Sequence, residues 1–311
     1  MALDPTYFNL SAGLSHAWSD DGIFTPEHKH LVASAIPGVD LQTYPSSEEQ
    51  LDQLQMALVA SDFLQSFETG DIRWLTEQSR QLPNAFRRFV HTVATYFHDS
   101  SHRLPGLFVN PLADYVEKTK SHVALLNYDN LVYDAFRERQ LLRGYAGALI
   151  DGFHNTGFDK VNLDRYNTTR HGWYLHLHGS PLFVDNRKVM GIERSFLNPT
   201  EQCHIVLTHV RHKRSIIDKS PILSEYWNRL GKALTEVDQV ILFGYSGADL
   251  HLNEVIGDKC PNKPIFVVEW DGTGETDTRE RYWQSVFKKL DVNLIQLKNI
   301  LDFEDWGAPA N

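Results

Sequence analysis

Four short polar stretches hold the side chains with the most chemical capacity, and each lies at the end of an apolar run. In Tyr174-Leu175-His176-Leu177-His178-Gly179-Ser180, alternation puts His176 and His178 on one face of an extended segment. Gly179 permits a turn that leaves His178 at the strand end, where an imidazole can take a proton near neutral pH. The plainer alternatives are a satisfied structural histidine or a metal pair with His176, although no matching carboxylate or cysteine spacing accompanies the pair. In Leu126-Asn127-Tyr128-Asp129-Asn130, Asn127 and Asp129 can hold a ribose or a water at a strand end, or build an Asx turn that caps the next helix. In Phe243-Gly244-Tyr245-Ser246-Gly247-Ala248-Asp249, small residues and a hydroxyl suit a loop against a nucleotide. A nucleophile elbow fails there, because Ala248 stands where its last glycine belongs. In Ser11-Ala12-Gly13-Leu14-Ser15, followed by Gly22-Ile23-Phe24, small residues would let the backbone approach a pyrophosphate; a tight turn is the simpler alternative.

The elements that must position these residues are short apolar strands. Tyr7–Leu10, His122–Leu126, Val240–Phe243 and Ile265–Val268 have the length and composition of parallel strands covered on both faces. A helix is expected over Ser224–Val237, where Trp227, Leu230, Leu234 and Val237 recur at helical spacing. Strand–helix alternation of this kind argues for an α/β fold with a mainly parallel sheet. Residues 25–119 are patterned for helices instead. Glu48–Leu58 follows the cap pair Ser46-Ser47, and Phe86, Phe89, Val90, Val93 and Phe97 form one stripe. This region is expected to be a helical insertion after the first strand, within a single domain spanning 1–311. The run 272–277 is expected to be a polar loop.

Composition narrows the classes. The 311 residues are 42% hydrophobic and 23% charged, enough for a sizeable core. The net charge of -10 argues against non-specific nucleic-acid binding, and Arg211-His212-Lys213-Arg214 is a lone basic cluster, a solvated face or an anion contact. Two cysteines, Cys203 and Cys260, support neither a disulfide framework nor a four-cysteine zinc module. The start of the chain has no basic, apolar leader pattern, and no apolar run reaches a membrane span. The expected compartment is the cytoplasm.

Taken together and in order, the four stretches resemble the sirtuin-like superfamily, in particular its zinc-less bacterial branch that consumes NAD. Ser11-Ala12-Gly13-Leu14-Ser15 looks like the phosphate loop Gly-Ala-Gly-hydrophobic-Ser, with Ser11 in place of its first glycine. Leu126-Asn127-Tyr128-Asp129 is similar to the Asn-Tyr-Asp element, Leu177-His178-Gly179 to the Leu-His-Gly element, and Gly244-Tyr245-Ser246 with Asp249 to the Gly-Tyr-Ser-x-x-Asp loop. The resemblance implies a Rossmann-like fold and a catalytic set of Asn127, His178 and Asp129. It implies nucleotide contacts from Ala12, Gly13, Ser15, Gly244, Ser246, Asp249 and Glu269, the last where the family touches the adenosine ribose. It further implies NAD as substrate without zinc, cleavage to nicotinamide and ADP-ribose, and a role in antiphage defence. A homo-oligomer and a sensor or ATPase partner are expected on the same basis. A sensor that binds NAD or ADP-ribose without cleaving it, an ADP-ribosyltransferase or deacylase, and a purely structural subunit of a larger assembly are the alternatives.

Overall fold

The computed structural model describes residues 10–20, 23–45, 47–69, 73–98, 102–155, 157–166, 171–189, 201–207, 210–289 and 291–307. Helices come first: α1 (Leu10–Ser19), α2 (Pro26–Ala35), α3 (Glu48–Ser66), α4 (Glu77–His98) and α5 (Gly106–Thr119). Local chemistry fixes several of their starts. Thr25 caps α2 with Pro26 in its first turn, and Ser47 with Gln50 closes a capping box on α3.

Two three-stranded parallel sheets follow. One has the order β1 (Val123–Leu125), β5 (Gly172–His176), β2 (Leu149–Ile150); the other has β9 (Val240–Phe243), β10 (Ile265–Trp270), β11 (Val292–Leu297). Helices α6 (Leu131–Glu138), α7 (Val210–Lys219), α8 (Pro221–Glu236), α9 (Leu250–Lys259) and α10 (Thr276–Phe287) alternate with them. The middle strands β5 and β10 are apolar and almost wholly buried, as helix-covered parallel strands should be. Between the sheets in sequence lie a small hairpin, β3 (Phe153–His154) with β4 (Gly157–Phe158), and an antiparallel sheet β7-β6-β8. The latter is built from β6 (Gly179–Val184), β7 (Arg187–Lys188) and β8 (Cys203–Ile205).

The expected α/β class with a parallel sheet and a helical region is what forms. The expected strands at 122–126, 240–243 and 265–268 correspond to β1, β9 and β10, and the helix over 224–237 corresponds to α8. In 272–277 only Gly274 and Glu275 are loop, since a 3-10 turn spans Asp271–Thr273 and α10 begins at Thr276.

The first expected strand needs correction. Tyr7–Asn9 lies outside the described residues, and Leu10 opens α1. Among the described residues the helical region therefore precedes every strand. Ser11–Ser15 is helical here rather than a loop after a strand. The cause is a stripe: Leu14, Ala17 and Trp18, at i, i+3 and i+4, are all but fully buried in a core shared with Phe86, Phe89 and Val93 of α4. Burying those three outweighs the roughly 1 kcal/mol that Gly13 costs a helix. Ile23 and Phe24, expected near a ligand loop, are core residues of the same cluster.

Candidate functional site

One cavity of about 690 Å³ opens where β1 and β9 end. Its polar rim includes Asn127, His178, Lys213, Gly244, Tyr245, Ser246 and Asp249, and its depth is lined by apolar residues of β1, β9, α5, α8 and α9. The rim sits at carboxyl ends of parallel strands, the usual ligand position in open α/β sheets.

His178 is placed by a reversal of the chain. β5 stops at His176, Leu177 donates its N–H to the Leu125 carbonyl at 2.8 Å, and Gly179 turns with φ +84° into β6. A Cβ at position 179 would run into the His204 carbonyl, so the turn requires glycine. The imidazole emerges on the rim with its Nε2 2.9 Å from Asp249 Oδ2 and 2.5 Å from Lys213 Nζ, while the ring also bonds the Leu126 carbonyl. Lys213 pairs directly with Asp249 as well. Burial pushes the His178 pKa below its ordinary value, and the Lys213 charge adds to this against the opposing bond to Asp249. Burial lowers Lys213 too. Burial alone would raise Asp249, but bonds from His178 and Lys213 outweigh it and hold the carboxyl well below the usual range.

Asp249 also caps α9, accepting from the Leu252 N–H at 3.1 Å, so a helix start fixes its position. Its own N–H is bonded by the Tyr245 hydroxyl at 3.1 Å, and Tyr245 reaches Asn253 at 2.8 Å. Gly244 (φ +60°) turns the chain out of β9, and Gly247 (φ +82°) packs so closely on Trp283 and Tyr282 that a Cβ would clash. Ser246 is exposed at the tip of this loop.

Asn127 is exposed on the opposite side of the rim. Its amide bonds the carboxylate of Asp129, which is buried and accepts from the Leu131 N–H at 3.1 Å. Asp129 thus makes the Asx turn at the start of α6 and steadies Asn127; it is not itself on the cavity wall. Burial raises its pKa.

The other expected residues lie elsewhere. His176 is sealed among Tyr133, Tyr174 and Phe183, and burial pushes its pKa well down, which keeps it neutral. His251 stacks on Trp227, with centroids 4.4 Å apart. Glu269 is buried at the end of β10, bonded to Arg279 (2.7 Å), Thr273 (2.7 Å) and Trp283 (3.0 Å). Ala12, Gly13 and Ser15 belong to α1. Lys213 is the rim residue that sequence analysis passed over. Its basic cluster forms α7, where Arg214 is exposed, His212 lies 2.6 Å from Asp52, and Lys213 is buried. The signal was a lysine on the inward side of a basic helical turn, legible only once the helix has a partner. Among the described residues no cluster of three or more metal-ligating side chains occurs, and no helix is long and apolar enough to cross a membrane.

The family of SIR2-like domains matches residues 121–287, just over half of the chain. The chain belongs to the SIR2-like domain family. The matched span runs from β1 through α10 and contains every residue of the polar rim. Membership ties the protein to NAD-related activity. No curated protein matches the sequence.

Proposed function

We propose that this SIR2-like protein hydrolyses NAD to nicotinamide and ADP-ribose at the rim of the 690 Å³ cavity. The observation that supports this most is that Asn127 and His178, 51 residues apart in sequence, face the same cavity at neighbouring strand ends. In NAD the positive charge of the departing nicotinamide passes to the ribose as the bond breaks. The site must then hold the ribose, tolerate that charge and admit a water. Asn127, steadied by Asp129, offers an amide to the ribose or the water. His178, neutral because burial lowers its pKa, accepts the proton from a ribose hydroxyl or that water. Gly244 and Ser246, with exposed backbone and a hydroxyl, border the pyrophosphate.

Lys213 sits beside this base: its ammonium contacts His178 Nε2 and pairs with Asp249, its charge helps to keep the imidazole neutral, and its place on the rim puts a cation near an anionic pyrophosphate. NAD depletion in antiphage defence, homo-oligomers with a sensor or ATPase partner, and a single 1–311 domain with a helical subdomain at 25–119 are wider parts of the same proposal. The resemblance of the four motifs supports the defence role, and the separate core shared by α1, α2 and α4 supports the subdomain. Purified protein incubated with NAD, with nicotinamide and ADP-ribose quantified, is the direct test. Labelled ADP-ribose appearing on protein instead would assign transfer, and tight binding without products would assign sensing.

A further inference from the structure

Asn127 and His178 can act on one ribose only if their separation is fixed, yet each stands just past the end of a strand rather than on one. Direct bonds draw the two segments together: the Leu177 N–H donates to the Leu125 carbonyl at 2.8 Å, and the His178 ring bonds the Leu126 carbonyl. Tyr128, between Asn127 and Asp129, supplies a second route. It stays off the cavity wall, and its hydroxyl donates to the carbonyl of Val206, 78 residues away in the chain. The Val206 N–H in turn donates to the His178 carbonyl at 2.9 Å. The Tyr128 hydroxyl is therefore two hydrogen bonds from the backbone of His178, through a single intervening residue.

The helical region seats both ends of this link. The Tyr128 ring packs against the core built by α1, α2 and α4. Its carbonyl accepts from Nδ1 of His98, the fully buried last residue of α4, at 2.8 Å. On the other side, Ile205 and Leu207 belong to the helical core, whereas Val206 between them belongs to the main core with Leu175 and Leu177. Val206 thus lies at the seam of the two cores, and it also touches the cavity. A phenylalanine at 128 would fill the same space against the helices. Only a hydroxyl donates to the buried Val206 carbonyl, and a buried carbonyl left without a donor is costly. Burial pushes the Tyr128 pKa up, so the hydroxyl stays protonated and remains a donor.

We propose that Tyr128 is a positioning residue, whose hydroxyl sets His178 against Asn127 through Val206 and so ties the packing of the helical region to the geometry of the cavity rim. The kinetic consequence rests on the NAD-hydrolysis reading; the clamp itself does not. A misplacement of about 1 Å at a reacting group lowers a rate by up to about 100-fold. Gly244 and Ser246, which border the pyrophosphate in that reading, follow β9 in the other sheet. Loosening the clamp should therefore slow the chemical step and leave binding almost unchanged.

The test is Tyr128→Phe in the full chain, followed by two measurements. Hydrogen exchange needs no substrate: the Val206 amide should exchange at least tenfold faster, with the β10–β11 amides unchanged. In NAD turnover kcat should fall about tenfold with KM within twofold, and para-aminophenylalanine in place of Tyr128, which restores a donor, should return kcat to within threefold of the parent. Parental exchange at Val206 overturns the clamp. Parental kcat despite faster exchange overturns the positioning role, because the bond then serves the fold alone. A KM raised as much as kcat falls also overturns it, by placing the hydroxyl on the ligand. If the parent releases no nicotinamide while exchange responds as expected, the NAD reading fails and the clamp is upheld.

Discussion

The strand ends at Leu126 and Leu177 and the strand end at Glu269 hold equivalent positions at carboxyl ends of parallel strands, yet their polar groups are spent differently. Asn127 is exposed and His178 partly so, both on a cavity. Glu269 is buried, and its oxygens are taken by Arg279, Thr273, Trp283 and Gln296. A carboxylate bonded this fully by its own fold has little left for a ligand. Location in a sheet nominates a residue for chemistry; unspent hydrogen-bonding capacity at that location is the stricter requirement.

The sharpest way to break the comparison is to truncate the open side. His178→Ala and Asn127→Ala are each expected to cut nicotinamide release by at least about 100-fold, the lower range for a lost general base, with melting temperature within a few degrees of the parent. Parental turnover in both would place the chemistry elsewhere. Truncating the closed side should do the reverse. Glu269→Ala leaves Arg279 and the Trp283 N–H without their carboxylate and is expected to cost about 3 kcal/mol of stability, read by denaturant titration, with the KM for NAD within twofold. A KM raised tenfold at unchanged stability would mean that the carboxylate serves the ligand.

A smaller effect concerns the charge beside the base. Neutral His178 is the working form, and its lowered pKa extends that form into acid. The acidic limb of kcat/KM should therefore fall below pH 6.5, the ordinary histidine value. Lys213→Met removes a charge that depresses the imidazole, so the limb should move to higher pH and KM for NAD should rise more than kcat falls. An unmoved limb would show that Lys213 acts only in packing.

The smallest expected effect is on acid stability. His91 and His122 are pushed down to about 4, chiefly by burial. As pH drops below 6.5 the unfolded chain takes up protons there while the folded chain does not, so stability falls between pH 6.5 and 4. His91→Gln and His122→Gln should each flatten that slope in thermal melts.

Local signals carried much of the candidate site. The apolar runs at β1, β9 and β10 declared themselves by composition, although of the three β10 is the one buried almost throughout while β1 and β9 are largely only partly buried, and His178 stood out because a glycine with forced geometry follows it. Ser47 announced α3 through a three-residue cap. The segment at 11–15 misled because Ser-Ala-Gly-Leu-Ser has the size pattern of a tight loop while Leu14, Ala17 and Trp18 encode a helical stripe. Both patterns coexist in the residues, and contact with α4 selects the second. The sequence spacing of Asn127 and Asp129 left a ribose contact and an Asx turn equally open; in the structure Asp129 makes the turn and Asn127 keeps its place on the rim.

By itself the sequence determined which segments become strands and helices, since burial period and cap chemistry act over a few residues. It also set the stock of polar groups at the strand ends. Only the tertiary structure decided which of those groups meet: Lys213 and Asp249 converge on His178 from helix and loop 35 and 71 residues away, whereas Glu269 closes on Arg279. The reason is that hydrogen-bonding capacity is spent between partners distant in the chain, and that allocation is fixed when the elements pack.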